Sequence, residues 1–252
     1  MGTIRPQIVL FGDSNTEWSY QVDLTGWGAL LANHYMRKAD VINRGFGGYT
    51  TLLAQFLLDK VFPIPSSNPP LLATVSFGAN DASDPVATHG MLHVSLEEYA
   101  ENLRKIIAHI KKQSASTHIV LIAPPAIDSV NLLKHAPTIF GDTTGVPTRT
   151  DELVKTYADE CVKVAKDAGL PVINLWSIMH EASDWQKYLW DGLHLSAAGN
   201  ALVFEELVKV LDDPSFKPTL KADEMPWDYP HFLDFSADPA SDVKSWINPY
   251  SK

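Results

Sequence analysis

The sequence predicts an α/β protein: a three-layer α/β/α domain around a central five-stranded parallel sheet. Five short apolar runs rich in β-branched residues recur along the chain, and longer segments with helical periodicity separate them. The runs are apolar at consecutive positions, which suits strands covered on both faces. Their alternation with helices is the pattern of a doubly wound sheet.

The runs are residues 7–11 (QIVLF), 40–43 (DVIN), 71–77 (LLATVSF), 118–123 (HIVLIA) and 171–175 (PVINL). Between the third and fourth, Leu96, Tyr99, Leu103, Ile106, Ile107 and Ile110 repeat at three and four residues. Ser95 and Glu98 precede that stripe in capping-box spacing, so a helix starts there. Leu153, Val154, Tyr157, Cys161, Val162, Ala165 and Ala168 mark a second helix, which Gly169 and Pro171 close. Leu202, Val203, Leu207, Val210 and Leu211 mark a last one.

Two segments break the alternation. Residues 124–150 contain four prolines and little periodicity, and read as a long functional loop. Residues 212–252 hold six prolines and eight acidic residues against four lysines, together with Trp227 and Trp246. Aromatic side chains are scarce in disordered chains. The expectation is therefore one domain, 1–211, with 212–252 as an extension packed on it.

Composition narrows the function. With 20 basic and 30 acidic residues the net charge is −10, which disfavours nucleic acid and anionic lipid as partners. No apolar run approaches the roughly 20 residues of a membrane helix. The first residues carry no signal-peptide pattern, and Gly2 lacks the serine or threonine that a myristoylation motif needs. A cytoplasmic protein with a small-molecule substrate is expected. Cys161 is the only cysteine, so no intramolecular disulfide forms, and it lies on an apolar helix stripe as inert core.

In an open α/β sheet, functional groups gather beyond the carboxyl ends of the strands. The segments there are Gly12-Asp13-Ser14-Asn15, Arg44-Gly45-Phe46-Gly47-Gly48-Tyr49 and Gly78-Ala79-Asn80-Asp81, and Asp191-Gly192-Leu193-His194 precedes the last helix. They supply a hydroxyl, a glycine-rich turn, a carboxamide and an Asp-x-x-His pair. A serine hydroxyl becomes a useful nucleophile when a base takes its proton, and His194 suits that task because imidazole titrates near neutrality. Asp191 can hold the other ring nitrogen. The N–H groups of Ser14 and Gly48 and the Asn80 amide can face a developing oxyanion. Every role in serine acyl transfer has an occupant, and none calls for a metal or an organic cofactor.

GDSN, the glycine block, GAND and DGLH, in this order, resemble blocks I, II, III and V of the SGNH/GDSL hydrolase superfamily. NRGFGGYTT, Thr148-Arg149-Thr150, NLW at 174–176, DWQKYLWDGLHL, FEELVKVL and EMPWDYPH resemble one branch, the isoamyl acetate-hydrolysing esterase-like proteins, over nearly the whole chain. The resemblance implies a flavodoxin-like strand order 2-1-3-4-5 and hydrolysis of short-acyl, above all acetyl, esters. It makes Ser14 the nucleophile, Asp191 and His194 the rest of the triad, and Ser14, Gly48 and Asn80 the oxyanion hole. Gly47 competes with Gly48 for that place. The family pattern, with its variable position at 47, favours Gly48.

Other residues read more plainly. Asp13 and Asp81 are expected to brace the turns beside Ser14 and Asn80. Arg149 reads as a surface or helix-start cation. Trp18, Tyr49, Trp176, Trp190 and Leu193 are candidates to wall a substrate pocket. The remaining histidines form no metal pattern. The glycine block lacks dinucleotide spacing, and the Gly-x-Ser-x-Gly elbow of α/β-hydrolases is absent. An acyltransferase or a deacetylase of acetylated sugars would use the same residues, and a catalytically silent binding protein is the remaining class.

Overall fold

Strand β1 (Gln7–Gly12) is buried from Ile8 onward, and its side chains divide between two cores. Val9 and Phe11 face one side, Ile8 and Leu10 the other. This follows from the two-residue period of a strand, and it is why the apolar residues run consecutively. The arrangement is taken from a computed structural model that describes residues 5–64, 68–139, 141–229 and 231–247. Gly2 and the end of the extension, 248–252, lie outside these, and with them the acylation reading.

The other strands are β2 (Asp40–Gly45), β3 (Leu72–Ser76), β4 (His118–Ile122) and β5 (Val172–Ile173). All pair in parallel in the order β2-β1-β3-β4-β5, the expected flavodoxin-like order. Strand β5 is shorter than its apolar run. Asn174 ends it by capping the Leu175–Met179 helix, its Oδ1 accepting the Ser177 N–H at 3.1 Å.

Helices Leu96–Gln113 and Asp151–Asp167 cover one face, burying Tyr99, Leu103, Ile106, Val154, Tyr157 and Cys161. Ser95 and Thr150 cap them by accepting the N–H groups of Glu98 and Leu153. Burial pushes the Cys161 thiol up to about 12, in keeping with an inert core residue. Helices Trp27–His34 and Ala197–Leu211 cover the opposite face. The chain beyond Leu211 adds Leu220, Ala222 and Met225 to that second core.

The 124–150 segment departs from its reading as a loop. Residues Ser129–Ile139 form a helix with Pro137 inside it. Leu132, Ala136 and Ile139 recur on one side at helical spacing. Pro137 lies in the last turn, where a missing N–H costs one hydrogen bond and leaves the earlier turns intact.

Candidate active site

Register builds the site. Gly12 of β1 lies beside Gly45 of β2 and Ser76 of β3, so the three strands end level. Ser14, Gly48 and Asn80 follow those ends by two, three and four residues and meet over one edge of the sheet. Asp13 caps the Ser14–Glu17 helical turn, its Oδ1 accepting the Asn15 N–H at 3.0 Å, and so fixes Ser14 at the first position. A first helical residue has no intrahelical acceptor for its N–H. The Ser14 amide therefore points outward beside its own hydroxyl.

Asp191 and His194 arrive from a loop closed by the antiparallel bridge Leu189–Leu195 and by the Trp190 N–H on the His194 carbonyl at 3.0 Å. Gly192 sits at φ +93°, and a Cβ there would lie 2.4 Å from the Asp128 carbonyl. Only glycine fits that turn. The Leu195 N–H donates to Asn15 Oδ1 at 3.2 Å, which ties this loop to the serine turn.

The three groups form a relay. Ser14 Oγ lies 3.0 Å from His194 Nε2, and His194 Nδ1 lies 2.5 Å from Asp191 Oδ2. The second Asp191 oxygen accepts the N–H groups of Leu193 and His194 at 2.8 and 2.7 Å. All three residues are buried. Burial alone would raise the Asp191 carboxyl, but hydrogen bonds from His194 and the two amides outweigh it and hold it below the usual carboxylate range. Asp191 is thus ionised where it faces the imidazole.

The two candidate glycines of the turn differ in their hydrogen bonding. The Gly47 N–H donates to the Glu17 carboxylate. The Gly48 N–H has no acceptor among the described residues, and Gly48 lines the cleft at φ +76°. Asn80 Nδ2 donates one proton to the Tyr49 carbonyl at 3.0 Å, leaving its second proton for the cleft.

Arg149 is not the surface cation that its position suggests. It is buried, with Nε on the Ala79 carbonyl at 2.7 Å and Nη2 on Asn80 Oδ1 at 2.8 Å. A signal for this lies in the sequence. A cation just ahead of a helix beginning Asp151-Glu152 opposes the helix dipole, so another task has to hold it there. Burial lowers its pKa to about 10, against the attraction of Asp13 and Asp191, and it stays charged at neutral pH. Asp13 and Asp81 brace neighbouring turns, Asp81 Oδ1 accepting the Thr51 N–H at 2.9 Å and the Thr51 hydroxyl. Burial raises their carboxyls to about 7 and about 6.

A cleft of about 590 Å³ opens over Ser14, Gly48, Asn80 and His194. Of the five expected wall residues, Trp18 and Leu193 line it. Tyr49 lends its carbonyl to Asn80 while its ring packs on Phe46, 5.3 Å between centroids. Trp176 is drawn away by Asp151 and stacks on His180, and Trp190 lies beside Trp18 and His194, at 6.1 and 6.3 Å. The apolar lining comes instead from Leu132, Leu133, Ala136 and Ile139 of the unexpected helix, together with Met91, Leu92 and Val146. Among the described residues no group of three or more His, Cys, Asp or Glu could hold a metal ion, and no helix is long and apolar enough to cross a membrane.

The model of the GDSL-like Lipase/Acylhydrolase family matches residues 10–202. A GDSL esterase/lipase of Arabidopsis thaliana is 48% identical over 230 residues, 90% of this chain and 93% of its own. An isoamyl acetate-hydrolyzing esterase 1 homolog of Mus musculus is 37% identical over 232 residues, 91% of this chain and 88% of its own. Among solved structures, the lipase/acylhydrolase from Enterococcus faecalis matches with a TM-score of 0.63 at 28% identity, covering 82% of this chain and 95% of that one.

Proposed function

Because the chain belongs to the GDSL-like lipase/acylhydrolase family and is a carboxylic ester hydrolase, we propose that it cleaves short-acyl esters of apolar alcohols, acetates above all. Ser14 Oγ attacks the ester carbonyl as His194 Nε2 takes its proton. The N–H groups of Ser14 and Gly48 and the free Asn80 Nδ2 proton hold the tetrahedral oxyanion. His194 then returns the proton to the leaving alkoxide. Water, activated by the same imidazole, releases the acid from the acyl-enzyme, while Asp191 keeps the ring oriented and offsets its transient charge.

The observation that carries this reading is the buried relay: Asp191 at 2.5 Å from His194 Nδ1 and Ser14 at 3.0 Å from Nε2. The mouse relative named for isoamyl acetate supports an acetate ester. So does the cleft. It is in the size range of small-molecule pockets and exceeds what an acetyl group needs. Leu132, Leu133, Ala136 and Ile139 would shelter an apolar alcohol, and they offer no hydrogen bonds to an acetylated sugar.

The test is hydrolysis of p-nitrophenyl esters from acetate to decanoate, with Ser14→Ala alongside, then of acetates of branched and straight-chain alcohols. A fall in kcat/KM beyond C2–C4 acyl chains and a rise with alcohol size is expected, both lost in Ser14→Ala. A profile rising with acyl length would assign the cleft to the acid. Turnover by purified Ser14→Ala would remove the nucleophile assignment.

A further inference from the structure

We propose that Arg149 is a positioning residue for the oxyanion hole: it fixes the orientation of the Asn80 amide and polarises it toward the substrate. The inference rests on the role given to Asn80 above, and on geometry that no motif spacing contains.

A carboxamide has two nearly equivalent ends, and its direction is set by what surrounds it. A guanidinium only donates. Arg149 Nη2, 2.8 Å from Asn80, therefore requires the oxygen end to face it. A carbonyl only accepts, so the Tyr49 oxygen at 3.0 Å requires the Nδ2 end on the opposite side. The two constraints agree, and together they aim the remaining Nδ2 proton at the cleft. A flipped amide would offer an oxygen lone pair there and repel the oxyanion.

Arg149 is itself held by more than Asn80. Nε donates to the Ala79 carbonyl at 2.7 Å and Nη1 to Thr148 Oγ1 at 3.2 Å, so the guanidinium grips both the side chain and the preceding peptide of the Gly78-Ala79-Asn80 turn. It is 4% exposed and carries its charge in surroundings where a nearby cation acts strongly. Withdrawing electron density from Asn80 Oδ1 makes Nδ2–H a stronger donor. The effect grows as negative charge develops on the substrate, so it favours the transition state over the bound ester.

A double-mutant cycle tests this. Arg149→Met, Arg149→Lys, Asn80→Ala and the Arg149→Met/Asn80→Ala pair are compared for kcat, KM and thermal midpoint on one acetate ester. Arg149→Met is expected to lower kcat by at least about tenfold, with KM changed by less than about threefold. Arg149→Lys, which keeps the charge but not the fork, should fall between it and the parent. In the Asn80→Ala background Arg149→Met should cost less than about threefold more, because the amide it acts on is gone. Should Arg149→Met fail to fold, Arg149→Lys carries the same cycle. Equal losses in both backgrounds, or a loss confined to KM, would overturn the positioning role and leave Arg149 as a packing residue. If Asn80→Ala itself left kcat intact while Ser14→Ala abolished turnover, the oxyanion assignment of Asn80 would fall first and this inference with it.

Discussion

The Trp18 indole lies against the His194 imidazole, with ring centroids 4.0 Å apart and planes inclined by 31°. Trp190 flanks both rings, 6.1 Å from Trp18 and 6.3 Å from His194. One face of the His194 ring is thereby covered, and Asp191 holds its Nδ1 edge. The face of an indole also attracts a cation, and in the proposed mechanism an imidazolium forms each time His194 takes the serine proton.

Trp18→Ala should therefore lower kcat by roughly 3–30-fold, the range of one cation–π contact, while Trp18→Phe keeps most of the rate. Steady-state kinetics of the two variants on one acetate ester check this. A change confined to KM would mean that Trp18 touches only the substrate.

The neighbouring glycines should separate in the same assay. At Gly48 a Cβ meets nothing within 4 Å, but φ is +76°, where an L side chain costs about 1–2 kcal/mol. Gly48→Ala relieves that strain by turning the peptide that carries the candidate oxyanion N–H, so kcat should fall by at least about tenfold. At Gly47 a Cβ would meet the Glu17 carboxylate tip at 3.0 Å, and a flexible tip can move. Gly47→Ala should stay within about threefold of the parent. The opposite ranking would move the donor to Gly47.

What was legible in the sequence is what depends on residue type at a strand end. Ser14, Asn80, Asp191 and His194 are the side chains that the proposed chemistry needs, and they follow runs whose apolar continuity marks buried strands. Strand order needed the resemblance, since Ile8 and Val9 face different layers whichever strand lies beside them. Arg149 was hidden because its burial comes from a fold that returns residues 148–150 to the Ala79-Asn80 turn. The Ser129–Ile139 helix was hidden by Pro124, Pro125 and Pro137, although only Pro137 lies inside it. Trp176 and Trp18 look alike in sequence. Asp151 draws the first away, its Oδ1 accepting the indole N–H at 2.9 Å, and His194 faces the second.

The raised carboxyls of Asp13 and Asp81 give stability a defined pH dependence. Burial lifts Asp13 from 3.8 to about 7. Between those values the folded chain holds a proton that the unfolded chain has released, so stability falls as pH rises through the window and levels off above about 8. The full shift corresponds to something on the order of 4 kcal/mol, or roughly 8–16 °C in Tm for a chain of this size. Asp81, raised to about 6, acts in the same direction. Asp13→Asn keeps an oxygen for the Asn15 N–H and cannot ionise. Thermal melts from pH 5 to 8 should therefore slope less in Asp13→Asn than in the parent, and parallel slopes would place the titrating group elsewhere.

The chain beyond Leu211 should matter for stability in one stretch and little in the next. Leu220 is fully buried, and its carbonyl accepts the Tyr35 hydroxyl. Ala222 and Met225 join the same core, and the Ala222 carbonyl accepts from Lys38 Nζ. Asp228 receives Arg5 and Arg37 from two separate segments, and Arg37 lies over the Trp227 ring at 4.6 Å. Past Tyr229 the described side chains are mostly exposed. These surface ion pairs contribute about 1 kcal/mol or less each, whereas losing a buried leucine costs about 2–5 kcal/mol. Leu220→Ala should thus lower Tm by roughly 5–15 °C, and truncation after Leu211 should do more harm, exposing Tyr35 and the flank of the Ala197–Leu211 helix. Truncation after Tyr229 should leave Tm within about 3 °C of the parent. Equal damage from both truncations would mean that the last segment, not the buried strap, secures the extension. Calorimetry on the three variants decides between the two.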